Sequence, residues 1–473
     1  MATVAGVQGL IIYALSCGIP MLVFAYFGSI IRKQCPDGFV LTEWTRQRYG
    51  VIASLYLSFM TLFTLFLYMV SELSAIGQVI NTLTGLKGIS AVIVECVVTT
   101  IYTSLGGFRI SFFTDTIQGI MILCLVVMAT IAIGTTADID RSLIDSSGLL
   151  DASLLGWQLL YILPVCVITN NFFLSSYWLR TFASKTDKDL WVGAGIASVV
   201  VTCVLVLVGM TGIIAVWAGL YTDNADAIPS AAFFLLLEQL PTWVIGVVLV
   251  LSVAMSTAAL DSLQSAMVSS ASNDFFRNKL NIWYIRGLVV LVMIPIVVVA
   301  LKTPSVLQIY LISDLLSSAV VPILVLGLFH RFFFLRGFDI VVGGLGGILT
   351  VFIFGCIYYG SAQQGGDLLL IEQGLTSGDW GVFGAFVAAP VGGIVWGFGA
   401  AGLRMGVNYM LAKRNGTRFT DLDRPVPQAL AVVGQLHGGA SLSGATDAPL
   451  SKNLDGATEH TMTPVEVPAG KFF

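Results

Sequence analysis

The 473 residues are 56% apolar and 11% aromatic but only 11% charged, with a mean hydropathy of +0.90. Soluble domains give about a quarter of their residues to Asp, Glu, Lys and Arg, so this composition cannot cover a water-facing surface and places the chain in a lipid bilayer. The net charge of −4 is close to balance, and no basic stripe exists, which excludes a nucleic-acid binder.

Crossing the hydrocarbon takes about 20 apolar residues in a helix, and eleven segments qualify in chain order: 9–31, 52–80, 89–105, 113–134, 155–176, 190–219, 242–272, 284–301, 306–329, 338–360 and 380–404. Barrel strands would instead show alternating runs of about ten residues. Met1–Gly9 carries no charge ahead of the first segment, so no signal peptide is announced. Glu72 and Glu95 fall in the second and third segments, close to the outer interface, and Pro164 with Asn170–Asn171 interrupts the fifth. The seventh holds the polar run Ser252, Ser256, Thr257, Asp261, Ser262 and Ser265, and Asp314 sits well inside the ninth. Gly343 with Gly347, and Gly393 with Gly397, have the GxxxG spacing of close helix packing. Residues 1–424 read as one transmembrane domain. From 425 to 473 the composition turns to Pro, Gly, Ala, Ser and Thr without an apolar period, as in a disordered tail.

Alternate connectors carry the basic residues. Eighteen Lys and Arg fall on one side, including Arg32, Lys33, Arg109, Arg180, Arg277, Arg336 and Arg404, against three on the other, Lys87, Arg141 and Lys302. The positive-inside rule makes the first side cytoplasmic, with the N-terminus outside and the C-terminus inside. Seven scattered cysteines form no CxxC pair, and the three histidines lie at a helix end or in the tail, so neither a redox site, a metal site nor a triad is indicated. No phosphate-binding glycine motif is present, and no enzyme or bound cofactor is expected.

Charges and clustered hydroxyls at membrane depth face a cavity or a partner. Residues 253, 256 and 257 share a helix face, so the Val253 carbonyl with the Ser256 and Thr257 hydroxyls would offer three oxygens to Na⁺. The same hydroxyls would equally serve packing by bonding to carbonyls one turn back. The interrupted fifth segment reads either as a broken helix at a midplane solute site or as a proline kink satisfied by its neighbours.

The string Ile101–Tyr–Thr–Ser–Leu–Gly–Gly107, followed by Thr114–Asp115–Thr–Ile–Gln118, closely resembles the signature of the sodium:solute symporter family. Leu41–Thr–Glu–Trp–Thr–Arg–Gln–Arg–Tyr49–Gly50 resembles its cytoplasmic TxxExxxxRYG loop, and Ala254–Met–Ser256–Thr257 its cation-binding helix. Ser176–Tyr–Trp–Leu–Arg180 and Ser318–Ala–Val–Val–Pro322 are similar to its fungal and plant urea/polyamine branch.

The resemblance implies an all-α, leucine-transporter-like bundle of inverted repeats that couples Na⁺, or H⁺, to entry of a small polar solute such as urea or a related nitrogen compound. It makes Val253, Ser256 and Thr257 the sodium ligands and gives Asp115 a part in cation passage, where an N-cap role is the local alternative. A second sodium site would want hydroxyls at 259 and 260, where this chain has Ala259 and Leu260. Asn170, Asn171, Tyr310 and Asp314 are the expected solute contacts. The first span matches the family's second core helix, so the first core helix is expected to be missing, through an incomplete N-terminus. A transport-inactive sensor or partner subunit is the alternative. The plasma membrane is the expected location.

Overall fold

The computed structural model describes residues 1–35, 40–220, 232–277, 279–302, 306–372, 374–375 and 379–423, apart from the side chains of 105–115. The expected tail, 425–473, lies outside the described residues. What is described is a helical bundle: α1 Ala2–Gln34, α2 Leu41–Tyr49, α3 Val51–Thr84, α4 Ile89–Thr136, α5 Arg141–Ser146, α6 Leu154–Asn171, α7 Ser175–Ala183, α8 Asp187–Trp217, α9 Ala232–Glu238, α10 Thr242–Ser270, α11 Ile282–Lys302, α12 Val306–Leu326, α13 Gly337–Tyr359, α14 Ala362–Leu369 and α15 Gly381–Asn415.

Among the described residues ten helical stretches are long and apolar enough to cross a membrane, one fewer than the sequence suggests. The difference lies in α4, where Ile89–Ser104 is a shorter apolar helix that runs on into the full-length stretch Thr116–Thr136. Both parts touch α10: Glu95 lies beside Ser256, while Gln118 donates to the Ala254 carbonyl at 3.4 Å. A straight helix would hold residues 95 and 118 about 35 Å apart, so α4 does not pass α10 as one straight rod.

Exposed side chains such as Ile196, Val199, Val200, Leu291 and Val395 are apolar, as expected where lipid tails replace water. The interior carries the polar groups. α12 is the central helix, with Ser313, Ser317, Ser318, Ala319, Val320 and Ile323 all inaccessible. It packs on α3, α6, α13 and α15. Glycines let α15 approach α12 and α13 closely: a Cβ on Gly393 of α15 would lie 2.2 Å from the Ala319 carbonyl oxygen of α12, and one on Gly347 of α13 would lie 2.8 Å from the Ala389 carbonyl oxygen of α15.

The short helix α2 braces one end of the bundle. Gly50, at φ 89°, makes the turn from α2 into α3 that a side chain would resist. Tyr49 is fully buried and donates to the Leu324 carbonyl at 3.0 Å, and Arg48 donates to the carbonyls of Phe332 and Phe333 at 3.1 and 3.2 Å. On its other side the Thr42 hydroxyl donates to Asp274 at 2.8 Å, which Ser58 of α3 also reaches at 3.0 Å.

Candidate solute and cation sites

α6 begins with the Ser153 hydroxyl accepting from the Gly156 amide at 3.0 Å and runs unbroken through Pro164 to Asn171. Of the positions expected to interrupt this segment, Pro164 is accommodated within the helix, and the chain turns directly after Asn170–Asn171, at 172–174. There the amides of Phe172, Phe173 and Leu174 turn back to the carbonyls of Thr169, Asn170 and Asn171, and α7 begins. This tight turn satisfies the last carbonyls of α6 and leaves the Asn170 side chain facing inward.

Asn170 is inaccessible to solvent and ties three helices together. Its amide nitrogen donates to the Tyr68 hydroxyl of α3 at 2.7 Å and to the Asp314 carboxylate of α12 at 2.6 Å, and its carbonyl oxygen accepts from Ser313 at 3.1 Å. Ser313 also reaches Thr64 at 3.3 Å, and Thr169 shares a 3.0 Å hydrogen bond with Ser317. Tyr310 crosses Tyr68 edge to face with ring centroids 4.9 Å apart. A cavity of 380 Å³ is lined by Leu155, Leu159, Leu307 and Tyr13 among others; the cluster residues do not line it, and Tyr13, whose phenol lies in electrostatic range of Asp314 and Tyr310, stands between the two.

Of the expected solute contacts, Asn170, Tyr310 and Asp314 therefore meet. Asn171 is buried but sits about 100° further round the helix, where its backbone carbonyl accepts from the Leu174 amide at 3.2 Å. The sequence reading overlooked Tyr68, Thr64 and Ser313. Thr64, Tyr68 and Glu72 recur at i, i+4 and i+8 along α3, a polar stripe that was there to be read.

On α10 the expected cation ligands are arranged differently from one another. The Thr257 hydroxyl donates to the Val253 carbonyl at 2.7 Å, the local back-bond of a helical threonine. Ser256 points away from that pair toward Glu95 of α4. Below it, Thr103 donates to the buried Asp261 at 2.8 Å and Gln264 donates to Thr100 at 2.9 Å, so α4 and α10 meet along a polar seam. The side chain of Asp115 lies outside the described residues. Among the described residues no group of three His, Cys, Asp or Glu is placed to hold a metal ion.

Residues 2–337 match the sequence profile of the Sodium:solute symporter family. The spermidine transporter DUR31 of Candida albicans is 53% identical over 430 residues, 90% of this chain and 82% of that protein. The probable urea active transporter 1 of Schizosaccharomyces pombe is 28% identical over 127 residues, 27% of this chain and 19% of that protein. Among solved structures, a Na⁺-coupled sialic acid symporter in a substrate-bound outward-open state superposes with a TM-score of 0.52 at 16% identity, covering 85% of this chain and 87% of that one. The inward-facing conformation of Mhp1 superposes with a TM-score of 0.50 at 13% identity, covering 90% of each chain. These likenesses carry the fold, a leucine-transporter-like helical bundle.

Proposed function

The chain belongs to the sodium:solute symporter family, and from that premise we propose that it imports a polyamine-type solute, driven by Na⁺, across the plasma membrane, with its basic connectors in the cytoplasm. The observation that carries the solute class is Asp314. A carboxylate at membrane depth needs a partner, and the hydrogen bond from Asn170 does not neutralise its charge. A primary ammonium does. The rings of Tyr68 and Tyr310 beside it add the electrostatic attraction of aromatic faces for a cation. Urea, being neutral, makes no use of the charge. The 53% identity to a protein named as a spermidine transporter supports the same class.

In this reading the solute bridges α3, α6 and α12, replacing the internal hydrogen bonds of Asn170. The hydroxyl face of α10 around Ser256 holds the coupling ion, with Val253 and Thr257 as its neighbours. Transport follows if solute and ion together bind one of two conformations more tightly than the other.

The test is uptake of radiolabelled spermidine and urea by yeast lacking its own polyamine uptake and expressing the full chain, with Na⁺ or choline outside. Spermidine accumulation that requires Na⁺ is expected. Asp314→Asn should lower kcat/KM at least about tenfold, equivalent to about 1.4 kcal/mol, at unchanged surface expression. Entry of urea but not spermidine would overturn the solute class. No uptake of either would favour a transport-inactive sensor.

A further inference from the structure

We propose that the outward-facing groove between α4 and α11 binds one anionic phospholipid, with an acyl tail along the groove and the phosphate at Arg286. The site is apart from the solute and cation clusters, and its occupancy can be measured without transport.

The groove is built by spacing. Ile93, Val97 and Ile101 recur every four residues along α4, and Val290, Ile294 and Val298 do the same along α11, so each helix raises an apolar ridge. All six side chains are exposed. Between the ridges lies a buried floor of Cys96 and Thr100 from α4 and Met293 from α11. The space they enclose is 610 Å³. From Ile93 to Ser104, which lines one end, α4 rises about 16 Å. That is close to half of a hydrocarbon core about 30 Å thick, so the groove has the length of one leaflet. Its section over that length, about 40 Å², is about half that of a helix 10 Å across. An acyl tail fits where a partner helix does not.

The Ser104 end is the charged one. The Arg286 guanidinium donates to the Ser104 carbonyl at 2.6 Å and lies over the Trp283 ring, 4.9 Å from its centroid, so it is held at the groove's mouth while remaining partly accessible. Arg277 and Lys279 are exposed in the approach to α11. Asp274, the acid of that stretch, is buried and turned away to Thr42 and Ser58. Trp283 and Tyr284 are exposed beside Arg286, and aromatic rings so placed mark headgroup depth. Basic charge, aromatic belt and apolar groove thus follow one another as phosphate, interface and tail do in a lipid. The positive-inside rule makes this the cytoplasmic end, and the cytoplasmic leaflet is the one that carries anionic lipid. The floor gives the occupant its effect. Gln264 of α10 donates to Thr100 at 2.9 Å and to the Met293 sulfur at 3.3 Å, so a tail seated there ties α4 and α11 together over the helix that carries Ser256 and Thr257.

The experiment follows melting of the purified full chain in nanodiscs of phosphatidylcholine alone and of phosphatidylcholine with phosphatidylserine, while native mass spectrometry identifies the lipid retained. Phosphatidylserine should raise the melting temperature by several degrees and stay bound as one copy per chain. Arg286→Gln should lose most of that shift. Val97→Trp and Ile294→Trp, which fill the groove from exposed positions, should lose it too while keeping every basic residue. Melting in phosphatidylcholine alone shows that each variant folds, and the two groove variants decide the matter if Arg286→Gln already melts early there. A full shift in the groove variants overturns the proposal, because the charge would then act at the surface without a seated tail. A full shift in a folded Arg286→Gln overturns it as well. So does equal retention of phosphatidylcholine by the wild type, which marks an annular lipid only.

Discussion

Arg404 shows what a single buried charge does at one end of the bundle. Its guanidinium, 4% exposed, donates to both oxygens of Asp339 at 3.2 and 2.9 Å, to Asp421 at 3.1 Å and to the Phe334 carbonyl at 2.8 Å. Asp339 also accepts from the Arg336 amide at 2.9 Å and so caps α13. Arg404→Ala would strand an inaccessible carboxylate, and removing one partner of such a pair costs about 3–5 kcal/mol. A clear fall in melting temperature in detergent is expected. Arg404→Lys should recover little of it, because one ammonium cannot supply the planar fork. Asn170 poses the same accounting at the solute cluster. Asn170→Ala leaves Tyr68, Ser313 and Asp314 each short of a partner, so it should depress spermidine uptake far more than Asn171→Ala, whose side chain lies on another face of α6. Paired uptake measurements at matched expression check the order.

At the scale of elements, α2 joins parts of the chain far apart in sequence: Thr42 meets Asp274 across 232 positions and Tyr49 meets Leu324 across 275. Asp274→Ala removes the acceptor of Thr42, Ser58 and Asn273 together. It should loosen α2, read as severalfold faster tryptic cleavage at Arg46 and Arg48 in nanodiscs. The TxxExxxxRYG string was legible as a motif, and the turn at Gly50 explains its glycine, but nothing local pointed to Asp274 as the partner. The same limit governs the rest. Apolar runs marked the helices because lipid demands them, and in the sequence Arg109 sets the apolar run 89–105 apart from 113–134. Of the two readings of the fifth segment, the accommodated proline describes Pro164, while the chain turns just past Asn170–Asn171, where successive amides fold back at 172–174. Asp314 and Asn170 stood out as polar residues in apolar surroundings. Tyr68 did not, because a tyrosine among phenylalanines reads as core until the amide it accepts from is in place. The position of Glu95 near the start of its segment places it toward the outer interface, and its burial against α10 becomes visible only in the packing.

Across the whole molecule, α13, α14 and α15 lie beyond the 2–337 match, save for Gly337 at the start of α13, and α15 meets the backbone of α12 at Gly393. Gly393→Leu should abolish a monodisperse peak on size exclusion, since the added carbon would overlap the Ala319 carbonyl. Gly399→Ala, with open space around it, should leave the peak unchanged. The seam has a kinematic consequence. Contact between backbones has no rotamers to yield, so α12 is pinned at Ala319. Asp314 lies five residues away on the same helix, about 7.5 Å along its axis. The carboxylate is thus a fixed post near the fulcrum and cannot swing with a gate. The displacement that exposes the solute first to one side and then to the other falls to the helices facing that post, and spin labels on α3 and α6 should change separation between states while pairs on α12 and α15 hold theirs.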